Sequence, residues 1–595
     1  MLNDKGKKWD PKSSPMIFVG YEPGANAFRL WNPKTRTIVI SANVRFSEHE
    51  FPNRPAAQTP TSVPTSSSSK VNSPDWEKWD NAMAEEYASL AEHGTWEVVP
   101  HPEECHVIDS KWVYRIKYDA DGNISHYKAQ LVACGFTQVF GVDYTETFTP
   151  VTCLETLRLL FALAVEKDWE VRQIDVKTAY LYGDLDEVIY MQPPEGAEVP
   201  EGHIFLLRKA LYGLKQAGCQ WYKKLKDTMA KFGLTQAKSD PHTFVTHKIV
   251  DGVKRTLILP IYVDDLFPIG DKVLTDDFEK WIGSYFTTTE PCDANYFLGI
   301  CIKRKHTLEK SYISLDQESY INTVLARVIP ANSPIKEYET PLPTVELVPN
   351  LEPKELANPN DVHDYQSTIR QLMYIMLGTR PDLAYAVGKL SHFSSNPSAD
   401  HMYAVVRTFG YLKKYAKCGL VYRKDDNPVY GYTDSDWAGE TATAKSTSGY
   451  VFFLSKTAFS WSSKQQEIIA ASTMEAEYIG LFHASRQAVW IARFLEQIGF
   501  PLAGKLEVKC DNEATITVAN SADVPFKKAK HLNTKYHIVQ DFVKDNQIAV
   551  TKVSSEDNLA DQLMKVLPHD WFYDQSSDLG LESIDSLDHS SSSDS

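Results

Sequence analysis

The chain has 595 residues, 43% hydrophobic and 12% aromatic, the composition of packed globular structure and enough length for several domains. No run of about 18 apolar residues occurs, and the start "MLNDKGKKWDPK" lacks the apolar core of a signal peptide, so a soluble cytoplasmic or nuclear protein is expected rather than a membrane-inserted or secreted one. The eight cysteines are scattered without a CxxC pair, so neither a zinc module nor a disulfide framework is indicated, while the net charge of -16 taken alone counts against a nucleic-acid partner.

In chain order, residues 1–54 contain short β-branched and aromatic runs broken by "PGAN" and "NPKT" turns, a small all-β fragment. Residues 55–74, rich in Pro, Ser and Thr, read as a disordered linker. Trp76, Trp79, Met83, Tyr87 and Leu90 recur at helical spacing from Ser73 to Gly94. "SKWVYRIKYD" and "ISHYKAQLVACGF", joined by "ADGN", form a hairpin with Lys111, Arg115 and Lys117 on one face. "WEVRQIDV" drives a strand into Asp175, and "LILPIYVDDLFPIG" sets Asp264 beside Asp265 between two apolar runs. Adjacent carboxylates repel and lose hydration there, so the pair reads either as a solvated turn or as two acids held by a cation. A sheet joining these strand ends would gather three acids, a site for two magnesium ions.

Helical stripes follow through residues 321–428. "PVYGYTDSDWAGE", "STSGYVFFLSKTAFSWSSK", a long helix through "STMEAEYIGLFHASRQ", "LEVKCDNEATI" and "SSEDNLADQLMK" then alternate strands and helices, with acids at 434, 477, 511 and 561. The end, 569–595, reads as an acidic, Ser-rich tail. From Asp574 onward it carries six acids and no Lys or Arg, so without it the net charge falls from -16 to -10.

The motifs "KWVYRIKYDADGNISHYKAQLVACGFTQVFGVDYTETFTPV", "QIDVKTAYLYGDLDEVIYMQPPEG", "LYGLKQAGCQWY" and "YVDD", in this order, resemble the reverse transcriptase of copia-type LTR retrotransposons. The resemblance runs from Trp76 to Leu567, and residues 1–54 resemble the end of that family's integrase, so the chain looks like the C-terminal part of a Pol polyprotein. It implies an α+β multidomain fold: a right-hand polymerase with fingers, palm and thumb over 75–320, a largely helical connection over 321–428, and an α/β ribonuclease H-like domain over 429–568. Asp175, Asp264 and Asp265 would be the polymerase acids. Asp434, Glu477, Asp511 and Asp561 would be those of ribonuclease H, each set holding two Mg2+ or Mn2+ ions. Lys128, Tyr180 and Gln216 would meet the nucleotide, Tyr180 by clashing with a 2'-hydroxyl, and Phe297, Leu298 and Gly299 would grip the primer. His531 would stand at the edge of the second site. The implied partners are an RNA template, a DNA primer, RNA/DNA hybrid and deoxynucleoside triphosphates.

The sequence departs from the family at several points. His126, Lys128, Gln130 and Cys134 stand at four alternate, usually basic positions, leaving one permanent charge and a weaker phosphate grip. Pro260 and Pro268 each remove a backbone donor, which is expected only at an edge or bulge. Gly218-Cys219 replaces Pro-Arg, and Arg370 replaces a small residue. Two readings follow: an active polymerase fused to ribonuclease H, favoured by retention of all seven acids, or a truncated or co-opted remnant that folds and binds nucleic acid with impaired catalysis.

Overall fold

The computed structural model describes residues 75–589 except 104, 119–123, 150, 307–310, 330–334, 351–357, 426 and 522–529; before residue 75 it describes three strands. Those strands, Ile17–Tyr21, Phe28–Asn32 and Thr37–Ser41, form an antiparallel sheet in chain order. The expected linker over 55–74 lies outside the described residues. Contacts divide the chain after Trp76 into two units. Among the described residues, no helix is long and apolar enough to cross a membrane.

The larger unit is α+β. Its first helix, Trp76–Glu92, buries Trp79 against Tyr114 and Tyr127 of the hairpin Ser110–Tyr118 and Ile124–Ala133. Those rings occupy one face of the two-residue pleat. On the other, Arg115 lies opposite Lys128 and Val113 opposite Gln130. Cys134 corrects the expectation of a four-residue face: the strand ends at Ala133, and Cys134 is buried with its N–H donating to the Asp109 carbonyl.

The central sheet runs from Thr243–Val250 to Val253–Tyr262, then to the interrupted strand Asp265–Leu266 and Ile269–Gly270, then to Glu170–Asp175, all antiparallel. Pro260 lies inside the ladder opposite Thr243, contrary to expectation, while Pro268 falls in the break between Asp265–Leu266 and Ile269–Gly270. The register continues across them, with Leu266 opposite Ile174 and Ile269 opposite Val171. Each proline keeps its acceptor: Phe267 N–H donates to the Pro260 carbonyl at 3.1 Å and Arg172 N–H to that of Pro268 at 3.0 Å. Only one ladder bond is lost at each.

A second five-stranded sheet runs Thr457–Gln465, Thr447–Leu454, Tyr430–Ser435, Leu506–Cys510, Ile548–Lys552; the first three strands are antiparallel and the last two join in parallel. The long helix Thr473–Gln497 packs on it through a buried face that includes Ala476, Gly480, Ala484 and Ala488. One hydrophobic core spreads from the helix Leu154–Lys167 into this sheet, while buried residues from Ile321 to Ala416 gather in a separate cluster that Leu567 and Phe572 join.

Residues 569–589 of the expected acidic tail are ordered structure. Residues His569–Asp578 are helical and Leu581–Ser583 pairs with Cys418–Arg423, which itself lies beside Ser311–Asp316. Composition missed this because Phe572, Leu579, Leu581, Ile584 and Leu587, few as they are, are each buried on existing surfaces. Two of its acids are also neutralised locally, Glu582 by Arg423 and Asp585 by Lys417.

Candidate active sites

Asp175 ends its strand directly opposite Asp265. Tyr262 pairs with Asp265, so Val263 and Asp264 form a two-residue hairpin loop. Val263 has φ 57°, the left-handed position that glycine ordinarily fills in such a turn. Two contacts hold it: Trp221 Nε1 donates to the Val263 carbonyl at 2.7 Å and Val176 N–H to the Asp264 carbonyl at 2.9 Å; Asp175 N–H itself donates to Thr289 Oγ1 at 3.0 Å. Gln173, two residues before Asp175 and on its face, donates to Asp265 Oδ1 at 3.0 Å.

Burial pushes the Asp265 carboxyl up to about 6, with the Asp264 and Asp175 charges adding to it against the Gln173 hydrogen bond. Asp264 is raised too, first by burial and also by Asp175, while Lys128 opposes the shift. Three hard oxygen donors whose charge is costly without a counterion fit a magnesium centre. Lys128 is thus close enough to act on this cluster. So is Tyr180, whose hydroxyl is raised by burial and by Asp264 and whose ring packs edge-on to Tyr212 at 4.8 Å. Tyr212 and Gln173 were not anticipated; for Gln173 the two-residue strand period was the available signal.

Gln216 does not face a nucleotide. It is fully buried, with Oε1 accepting from Gln138 Nε2 at 3.1 Å and Nε2 donating to the Asp143 carbonyl at 2.8 Å. Its amide braces a loop to a helix start, so the expected contact is corrected. Leu298 and Gly299 form a tight turn with φ 45° and 74° between Tyr296–Phe297 and Ile300–His306. Phe297 is buried against Tyr262 and Phe267, anchoring that turn rather than exposing a contact. Tyr374 Oη donates to the Leu298 carbonyl.

The second acid set gathers at the carboxyl ends of parallel strands, where loops leave a crevice. Asp434 lies near the end of Tyr430–Ser435, Asp511 directly follows Leu506–Cys510, Glu477 sits in the first turns of the long helix, and Asp561 in a short 3-10 turn. Burial raises the Asp434 carboxyl, reinforced by Glu477, a hydrogen bond with Asp561, and Asp511. Glu477 is raised by burial and then by Asp511. Glu477 Oε2 is buried without a hydrogen-bond partner, an orphan that a cation would satisfy. Asp511 accepts from Ser555 Oγ at 2.7 Å and Asp561 pairs with Lys565 at 2.7 Å. His531 lies in the helix Lys530–Lys544, its side chain outside the described residues. Beside the long helix a cavity of about 590 Å³ is lined by Lys464, Arg486, Lys535 and Trp490.

Residues 93–337 match the family "Reverse transcriptase (RNA-dependent DNA polymerase)" and residues 1–59 match "Retroviral polymerase SH3-like domain". The chain is 36% identical to the Retrovirus-related Pol polyprotein from transposon TNT 1-94 of Nicotiana tabacum, over 95% of this chain and 49% of that one. It is 33% identical to the corresponding polyprotein from transposon RE1 of Arabidopsis thaliana, over 85% of this chain and 34% of that one. It therefore spans half or less of these curated relatives. A foamy viral protease-reverse transcriptase solved in complex with double-stranded DNA aligns with TM-score 0.42 and 12% identity, over 82% of this chain and 70% of that one. With matches of this identity over nearly its whole length, the chain belongs to the copia-type retrotransposon Pol polyproteins and carries their reverse transcriptase domain.

Proposed function

We propose that the chain is an RNA-directed DNA polymerase joined to a ribonuclease H. The observation that carries this is the gathering of seven carboxylates into two separate clusters, in which burial raises Asp264, Asp265, Asp434 and Glu477. Burying so many acids without a ligand would cost stability, so the arrangement favours the enzyme over the impaired remnant. The central sheet with Asp175, Asp264 and Asp265 is the palm, the hairpin bearing Arg115 and Lys128 belongs to the fingers, and the five-stranded sheet with Asp434 is the ribonuclease H. Residues 1–54 are the end of an integrase.

Bound Mg2+ or Mn2+, two ions per site, would supply charge stabilisation at the reacting phosphate. The chain's own residues do the rest. The paired strands fix Asp175 and Asp265 face to face, and the Val263 turn, held by Trp221, presents Asp264 beside them. Tyr180, backed by Tyr212, limits space for the sugar of an incoming nucleotide. Arg115 and Lys128, on one face of the hairpin, offer cations to phosphates. Glu477 and Asp434 direct the second site at the RNA strand of a hybrid, and Lys464, Arg486 and Lys535 lie on the same domain to receive its backbone. The expected substrates are an RNA template, a DNA primer and deoxynucleoside triphosphates, and the expected compartment is the cytoplasm or nucleus. Primer extension on an RNA template tests this reading: extended product is expected with magnesium, and no product from folded protein at any template concentration would favour the remnant.

A further inference from the structure

Cys510 is the last residue of its strand, adjoins Asp511 and is wholly buried. Its Sγ, a carboxylate oxygen of Glu477 and one of Asp511 all lie within 4.8 Å of one another. Glu477 is only 5% exposed, and its Oε2 is the buried oxygen without a hydrogen-bond partner. Two of these groups already belong to the acid set, and the sulfur is what sets the cluster apart. A hard cation such as magnesium gains little from sulfur, whereas zinc and cadmium bind thiolate strongly and accept mixed sulfur and oxygen donors. Among the described residues, no comparable grouping with a cysteine surrounds Asp175, Asp264 and Asp265.

We infer that Glu477, Cys510 and Asp511 form a site for a thiophilic divalent cation, Zn2+ or Cd2+, overlapping the magnesium position of the ribonuclease H centre. This rests on the reading of that acid set as a divalent-cation centre. On binding, a metal–sulfur bond forms, the thiol proton passes to solvent, and any magnesium held by Glu477 and Asp511 leaves. A fourth position falls to Asp434 or water. Zinc then stops hybrid cleavage at concentrations that leave DNA synthesis running, because the polymerase acids lack the sulfur donor.

The test uses the full chain with the exposed Cys153 and Cys292 replaced by serine, titrated with Cd2+ while thiolate-to-cadmium charge-transfer absorbance and proton release are recorded. One equivalent of absorbance with about one proton released is expected. It should vanish in Cys510→Ser and Cys510→Ala, and Glu477→Gln should weaken binding by about tenfold or more. Absence of the band in the parent, its persistence in both Cys510 variants, or undiminished affinity in Glu477→Gln overturns the site. Magnesium binding followed by calorimetry in the full chain carrying Asp175→Asn, Asp264→Asn and Asp265→Asn, which leaves only the second acid set, separates the two readings. Retained magnesium binding without the cadmium band sinks only the thiophilic site, and loss of both sinks the cation centre as well.

Discussion

At the residue scale, the two acid sets share no side chain, and the proposed function gives them different substrates. Asp264→Asn should lower primer extension by at least about 100-fold while hybrid cleavage by the same preparation stays within a few-fold of the parent. Equal loss of both in folded protein would refute separate sites. Tyr180→Ala should shift sugar selectivity, measured as a ratio of kcat/KM values, toward ribonucleotides by about tenfold or more, since it removes a ring beside the cluster. An unchanged ratio would leave Tyr180 a packing residue. His242 carries a pH effect outside both sites: burial pushes its imidazole down to about 4, and its ring stacks on Tyr222 at 4.4 Å. Below the ordinary value of 6.5 the unfolded chain takes a proton that the folded site refuses. Stability present above pH 6.5 is therefore lost as pH falls toward 4. His242→Phe keeps the stacking and should recover up to about 2 kcal/mol of that loss at pH 5, read from denaturation midpoints across pH.

At the element scale, the Val263 turn holds a β-branched residue at φ 57°, a conformation costing about 1 kcal/mol or more that asparagine tolerates better. Val263→Asn should therefore raise the melting temperature, with a gain of about 1 kcal/mol, while leaving the Trp221 bond to the backbone intact. A lower melting temperature would show that the valine side chain packs better than its backbone suffers. This turn also marks how far sequence reaches. The apolar runs around Asp175 and the DD pair marked two strands, because strand periodicity is local, while the meeting of strand ends 89 residues apart rested on the family resemblance. Gln216 could not be read that way: its burial depends on Gln138 and Asp143, more than 70 residues away. Pro260 and Pro268 were legible as lost donors, but where each missing N–H would point depends on strand pairing. Residues 569–589 looked like a tail because composition counts apolar residues without the surface that receives them.

At the scale of the whole molecule, Arg158 links three regions. Fully enclosed on the helix Leu154–Lys167, it donates to the carbonyls of Phe459, Leu377 and Gly378 at 2.7, 2.6 and 2.9 Å, with its guanidinium 3.9 Å from the centre of the Trp461 ring. Lys389 and Glu440 make a second buried link at 2.5 Å. Arg158→Met would leave three carbonyls unpaired, a loss of about 3 kcal/mol or more. Calorimetry should then resolve separate transitions for the polymerase and ribonuclease H parts; one unbroken transition would show that the shared core alone couples them. The strand Leu581–Ser583 bears on how the molecule is made. It completes the sheet of Ser311–Asp316 and Cys418–Arg423 only after the ribonuclease H strands have been synthesised. At a translation rate of roughly 5 to 20 residues per second, the outer edge of Cys418–Arg423 waits on the order of 10 to 30 s on the ribosome for its neighbour. For that interval the nascent polymerase carries an open strand edge, the kind of surface through which unfinished chains pair with one another.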